Sequence, residues 1–454
     1  MKTVSVLDFG ARGDGCLCTK AIQAAIDDCF LGGGGQVEVP EGNYLTGGLR
    51  LRSNVVLHLL ENAVLIGTRN PEDYYNCRYD TLEPMDNAEL VDSTWSRAER
   101  SENKERDYAF LRLPGSRWHN SLIRAIDAEN IAIIGEKGSV IDGNDCYDEQ
   151  GEEYYRGPHA IGFFRCKNIQ LSGYTVQRSG NWAHNLFYCS QVTMDGVTVL
   201  AGHDGIHMTG CKNMIIQNSN FYTGDDCIAG FANLNVFVEN CEVNSACSGF
   251  RMGGSNVMIT HCHIFAPGRY AFRGSLTKEE KMESAPSHPT GHRTNMLSAF
   301  TYYSDFSVEI PYQPGNIVIS DTRIEGADKL FHYNRSGNEL WQTNRPLKNI
   351  FFEHVVAKDL AKPTVLYGEK DFGVTAVFSN VHLTVREGCE TTPLFWTCNY
   401  DAITFDNVAV EGGNDVPLIQ TWSEGKISIK NLLCKPERSE LIEKLRCPFE
   451  VKRI

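Results

Sequence analysis

Three carboxylates define the chemistry open to this chain. Asp225 and Asp226 follow Asp204 by 21 and 22 residues, with His203 and His207 beside Asp204 and Arg251 and Arg273 further on. Crowded onto one face, such acids cannot all ionise easily, so one carries a proton while another stays charged. That is what cleavage of an acetal needs: an acid for the leaving oxygen and a base for the attacking water. An Asp-Asp pair at a turn is usually a solvated corner, so the chemistry depends on what brings Asp204 to the pair.

A repeat supplies the means. Asn168, Gln191, Asn213, Asn235 and Asn256 each precede a short alternating apolar segment, at intervals of 23, 22, 22 and 21 residues. A period near 22, strands of four to six residues and Gly, Asn or Asp at the corners predict an all-β fold, a single-stranded right-handed parallel β-helix in which each repeat is one rung. Equal phases on successive rungs then stack at ~4.8 Å. Thirteen residues past each marker stand Asn181, Asp204, Asp226, Ser248 and Arg269, a polar column throughout.

The chain is expected to be one domain over residues 1–454, since solenoids outgrow the usual domain length. Val4 to Gly15 reads as a strand and a Gly-rich turn. Thr19 is expected to cap a helix with Ala21, Ile22, Ala25 and Ile26 on one face, ended by Gly32 to Gly35 and plugging the open strand edge. Insertions are expected near 70–116 and 276–313, the second either a surface excursion or a lid over the polar column. Later rungs, at Asn316, Asn349, Ala376, Ile403 and Ile427, carry few clustered carboxylates and read as scaffold.

A net charge of −14 argues against nucleic-acid or membrane partners, and leaves an acidic ligand to be held by locally placed Arg or Lys. No secretory leader pattern or 18-residue apolar run is present, which gives the expectation of a cytoplasmic protein. The 16 cysteines fit a reducing compartment. Cys166, Cys189 and Cys211, each two residues before a marker, should stack as buried hydrophobes. With no Cys-x-x-Cys, neither a metal nor another cofactor is expected.

With these residues in view, the chain resembles the polygalacturonase family of glycoside hydrolases, family 28. The similarity rests on Phe9-Gly10-Ala11-Arg12-Gly13-Asp14-Gly15, on Val39 to Gly47, on Ile141-Asp142-Gly143-Asn144 and above all on Thr223-Gly224-Asp225-Asp226-Cys227-Ile228-Ala229. One rung earlier, His203-Asp204-Gly205-Ile206 stands where the family has Asn-Thr-Asp-Gly. The resemblance implies that Asp225 is the general acid, that Asp204 and Asp226 activate water, and that the anomeric centre inverts; rung spacing alone suits either stereochemical outcome. Two motifs depart. The family's Gly-His-Gly is here Cys247-Ser248-Gly249, and its Arg-x-Lys lines up with Ala271-Phe272-Arg273. Arg251 and Arg269 are nearby cations, and Tyr333 falls where the family places a substrate-contacting tyrosine.

His203 and His207 are either ordinary hydrogen-bonded histidines or stand-ins for the missing one. Trp182 and His184 either floor a sugar site or are buried aromatics. The expected ligand is an acidic pectic oligosaccharide, cut from a chain end if the insertions close the groove. A β-eliminating polysaccharide lyase and a non-catalytic glycan-binding β-helix remain as rivals.

Overall fold

The computed structural model describes residues 2–74, 120–200, 202–282, 291–304, 312–335 and 345–445; most of the expected 70–116 insertion lies outside them. The described strands pair in parallel, and the fold is a right-handed parallel β-helix. The chain, expected as one domain, groups into two compact units, taken in turn: Met1–Asp225 with Tyr270–His292, and Asp226–Arg269 with Arg293–Phe306 and Ile310–Ile454.

In the first unit each rung contributes to three strand ladders. One runs through Glu129–Gly135, Lys167–Ser172, Ser190–Asp195 and Lys212–Gln217, pairing Ile169 with Val192 and Val192 with Met214. A second includes Val140–Asp142, Thr175–Gln177, Thr198–Leu200 and Asn220–Thr223. The third runs Leu49–Arg50, Ser121–Ile126, His159–Phe164, His184–Phe187 and Ile206–Thr209, and the loops entering these strands carry Asn181 and Asp204. Side chains alternate across each strand, so the inward set Ile169, Leu171, Val192, Met194, Met214 and Ile216 forms a core column at most 2% exposed.

Helix α1, Thr19–Leu31, lies against the first rungs and buries Ile22, Ala25, Ile26 and Cys29. Cys29 extends the expected stripe, whereas Ala21 stays half-buried. Thr19 does not cap it. The residue at the N-cap is Cys18, with no side-chain bond to the helix, and the Thr19 hydroxyl instead accepts from Gly47 N at 2.7 Å. The helix start is tied to the adjacent rung, which satisfies a strand donor at the expense of a helical one.

In the second unit Ile228–Glu239 and Ser248–Thr260 are long enough to turn a corner and serve two ladders each. Phe352, Phe378 and Phe405 stack at 5.1 Å between neighbours and within 9° of parallel, at the rung spacing. Each such ring contributes ~1.5–3 kcal/mol by burial.

The marker residues have a backbone reason. Asn168, Gln191, Asn213, Asn235 and Asn256 all have φ of 55–57°, the left-handed region that asparagine tolerates best among residues with a side chain. Their amides also chain across rungs: Asn130 Nδ2 donates to Asn54 and Asn168 Nδ2 to Asn130 in the first unit, while Asn256 Nδ2 donates to Asn235 and Asn316 Nδ2 to Asn256 in the second.

The rung after Ser248 corrects two expectations. Ser248 pairs with Ser298, not Arg269, because Ser298–Tyr302 is a strand inside the segment read as insertion. The excursion therefore runs from Ala266 to Leu297, after the strand His263–Phe265, and Arg269 is exposed on it.

The cysteine stack is present. Cys189 Sγ reaches Phe163 O at 3.3 Å and Cys211 Sγ reaches Leu186 O at 3.4 Å, and the described cysteines form no disulfide. No helix among the described residues is long and apolar enough to cross a membrane.

Candidate active site

In the first unit the loops that enter the third ladder place Asn181 and Asp204 above strands His184–Phe187 and Ile206–Thr209, and Asp225 ends the unit's first segment. Asp204 is 3% exposed, and its Oδ2 accepts from His207 Nδ1–H at 2.8 Å. The His207 ring lies flat on Trp182, with centroids 3.8 Å apart and planes 4° from parallel. Trp182 thus packs on the histidine of a His-Asp pair, which fixes the imidazole and through it the carboxylate.

His184 is turned away from this face. It is fully buried, Nδ1–H donates to Gly205 O at 2.9 Å, and Tyr174 Oη donates to Nε2 at 3.1 Å. Burial pushes its pKa down to about 4, partly offset by the Gly205 bond. With both ring nitrogens taken, His184 offers a ligand nothing. The register explains it: successive residues of Ile206–Thr209 and His184–Phe187 point to opposite sides, so Asn185 and His207 face outward together while His184 and Ile206 face in.

Arg156, which the sequence reading passed over, is the hub of this group. It is 7% exposed and donates to Glu153 Oε2 from Nε and Nη2, at 3.1 and 3.0 Å, and to Asn181 Oδ1 from Nη1, at 3.3 Å. It lies 3.8 Å from Glu152 Oε2 and 3.7 Å from Asp225 Oδ2. Asn181 Oδ1 also accepts from Trp182 N. Burial, opposed by Arg156 and reinforced by the charges of Glu153 and Asp204, pushes Glu152 up to about 8. At neutral pH this carboxyl holds a proton.

The segment Arg273 to Met282 closes onto the same loop. Arg273 is 3% exposed; Nη1 pairs with Asp145 at 3.1 Å and Nη2 donates to Lys281 O at 2.8 Å. It works as a strut and not as an open cation. Lys278 pairs with Glu149, and the Lys281 ammonium sits 4.0 Å from the Tyr155 ring centroid. His203 is buried beneath, 5.7 Å from Tyr155, with no hydrogen-bond partner for either ring nitrogen among the described residues. Burial first, then the charges of Arg156 and Arg273, holds its pKa well below the usual histidine value.

In the second unit Asp226 is 1% exposed. Its Oδ1 accepts from Ser248 N at 3.0 Å, and its Oδ2 faces Arg251 Nη1 at 3.4 Å. The Arg251 guanidinium lies over Tyr303, 4.1 Å from the ring centroid. Ser248 Oγ turns to Thr301 at 3.4 Å, so the serine in the histidine's place contributes its backbone N–H. Arg269 N donates to Asn244 Oδ1 on the excursion, and Tyr333 is fully buried, accepting from Leu347 N at 2.9 Å.

The three acids differ in exposure. The side chains of Asp204 and Asp226 are 4% and 2% exposed and take direct hydrogen bonds, whereas Asp225 is 14% exposed and lies 3.7 Å from Arg156.

Residues 109–255 match the family model described as glycosyl hydrolases family 28. A probable polygalacturonase of Vitis vinifera is 28% identical over 239 residues, 50% of this chain and 44% of that protein. An exo-poly-alpha-D-galacturonosidase of Dickeya chrysanthemi is 25% identical over 50% of this chain and 41% of its own length. The matched stretch therefore spans less than half of either relative. Among solved structures, a Yersinia enterocolitica family 28 exopolygalacturonase superposes with a TM-score of 0.63 over 94% of this chain and 78% of that one, at 19% identity, a likeness of fold.

Proposed function

We propose that the chain is a divergent, polygalacturonase-like member of glycosyl hydrolases family 28, the family whose model residues 109–255 match, and that it hydrolyses glycosidic bonds in pectin-type, uronic-acid-containing oligosaccharides. Asp225 gives its proton to the glycosidic oxygen as the bond to the anomeric carbon breaks. Water attacks that carbon from the opposite face, and its proton passes to Asp204 or Asp226. The configuration inverts because one displacement occurs.

The observation that carries this reading is the unequal exposure of the acids. Asp204 is held by His207, and Asp226 by Ser248 N–H and Arg251, as suits groups that must stay ionised. The Asp225 side chain is 14% exposed against 4% and 2% for Asp204 and Asp226, which makes it the acid most open to a ligand, and it lies 3.7 Å from Arg156. The strut from Arg273 to Asp145 and the Lys281 contact with Tyr155 hold the segment Arg273 to Met282 against the loop that carries Arg156, an arrangement that supports attack at a chain end.

The test is turnover of a panel of pectic oligosaccharides with the product anomer read by NMR, alongside Asp225→Asn and Asp226→Asn. We expect an inverted anomer and a loss of kcat of ~10²–10⁴-fold in each variant. A retained anomer, or an unsaturated ultraviolet-absorbing product, would overturn the roles assigned to water and base.

A further inference from the structure

The second unit carries an aromatic cluster that no step above uses. Tyr367, Trp396 and Trp422 are each only partly buried, at the outward side of rungs that otherwise look like scaffold. Trp422 meets Tyr367 edge-on at 5.9 Å and 84°, and Trp396 at 6.2 Å and 86°. Large rings left partly in water on several adjacent rungs are not needed for the core, which is filled by their inward neighbours Leu366, Phe395, Thr397 and Ile419, all fully buried. Clustered apolar surface of this kind marks a contact site.

Register says what the site is continuous with. Arg251 pairs with Thr301, Thr301 with His332, His332 with Val365 and Val365 with Trp396. Trp396 therefore stands on the same outward column as the cation on Asp226, four rungs away, a distance of ~19 Å at the rung spacing. Between them Lys329 Nζ donates to His332 Nδ1 at 3.1 Å, which places an ammonium group beside the column. At the aromatic end Arg335 N donates to Tyr367 O at 2.8 Å, with its guanidinium 3.3 Å from Glu369. One rung beyond Trp396, Gln420 Nε2 donates to Glu443 at 2.7 Å.

Cations, then aromatic faces, then an amide follow one another along the column on a protein whose net charge is −14. A nucleic acid would need a basic face, which a net charge of −14 argues against. The sequence suits an extended acidic oligosaccharide: pyranose rings pack their C–H faces on aromatic rings, and uronate carboxylates meet Arg251 and Lys329.

We propose that Tyr367, Trp396 and Trp422 form a distal sugar-binding platform for the trailing part of an acidic oligosaccharide whose reacting end lies at Asp226 and Arg251. The proposal rests on the reading of that end as the hydrolytic site. It gives the enzyme a preference for chains long enough to span the four rungs, since the two contacts act through one ligand.

The experiment measures calorimetric affinity for trigalacturonate and decagalacturonate in the full chain made inactive by Asp226→Asn, with and without Trp396→Ala and Trp422→Ala. Thermal melting confirms folding, and Trp396→Phe retains a ring. We expect the longer chain to bind more tightly, its advantage over the trimer to shrink about tenfold in the double variant, and partial recovery with phenylalanine. An unchanged length advantage in the double variant overturns the platform. So does loss of self-association in ultracentrifugation with glycan affinity untouched, which assigns the rings to contact between copies. The underlying reading fails differently: an active wild type with a retained anomer removes the mechanism but not the length dependence.

Discussion

Glu152 shows how a single buried carboxyl couples stability to pH. Its folded pKa of about 8, against an ordinary 4.5, means that the folded state binds the extra proton between those values, so the contribution of Glu152 to stability is fully present below pH 4.5 and is lost as pH rises to 8. Glu152→Gln keeps the shape and removes the ionisation. It should raise stability at pH 7 by ~1–3 kcal/mol and flatten the slope between pH 5 and 8, as read by denaturant titrations. A variant with the wild-type slope would place the titration elsewhere. His207 acts through another group, so His207→Asn should lower kcat by roughly 10–100-fold with little change in KM, less than loss of a carboxylate; an equal rise in KM would mean that it binds substrate directly.

At the scale of the element, the asparagine turn does two jobs in one residue. Asn256 occupies φ of 57°, donates to Asn235 and accepts from Asn316. Asn256→Gly keeps the backbone freedom and loses only the amide chain; Asn256→Ala loses both. Unfolding free energies should fall by about 0.5–1.5 kcal/mol for glycine and about 1–2 kcal/mol more for alanine. Equal losses would show that the turn geometry contributes nothing. These amides were legible in the sequence as phase markers because the left-handed corner recurs on each rung and admits few residue types. Arg156 was not legible, because it enters from a loop 48 residues before Asp204, outside the repeat phase. Its only trace is the charged run Glu152-Glu153-Tyr154-Tyr155-Arg156.

At the scale of the whole chain, each rung touches mainly its neighbours, so stability is closer to a sum of rung and interface terms than to one cooperative core. The end rungs depend on α1. Ile26, fully buried between helix and strands, should cost ~2–5 kcal/mol on substitution by alanine. Hydrogen exchange should then accelerate first in Lys2–Ser5 and Gly35–Val39 and leave rungs such as Lys212–Gln217 protected. Uniform acceleration would mean that the unit unfolds as one piece.

Sequence alone determined the period, the strand type, the polar phase carrying Asp204 and the marker asparagines, because these repeat and a repeat averages local ambiguity away. Tertiary structure decided what happens once per chain: that Ser298 and not Arg269 follows Ser248, that His184 faces the core while His207 holds Asp204, and that Arg273 is spent on Asp145. Those outcomes turn on where an excursion rejoins the coil and on which side of a strand a residue falls. A shift of one residue reverses the second, and no periodicity records the first.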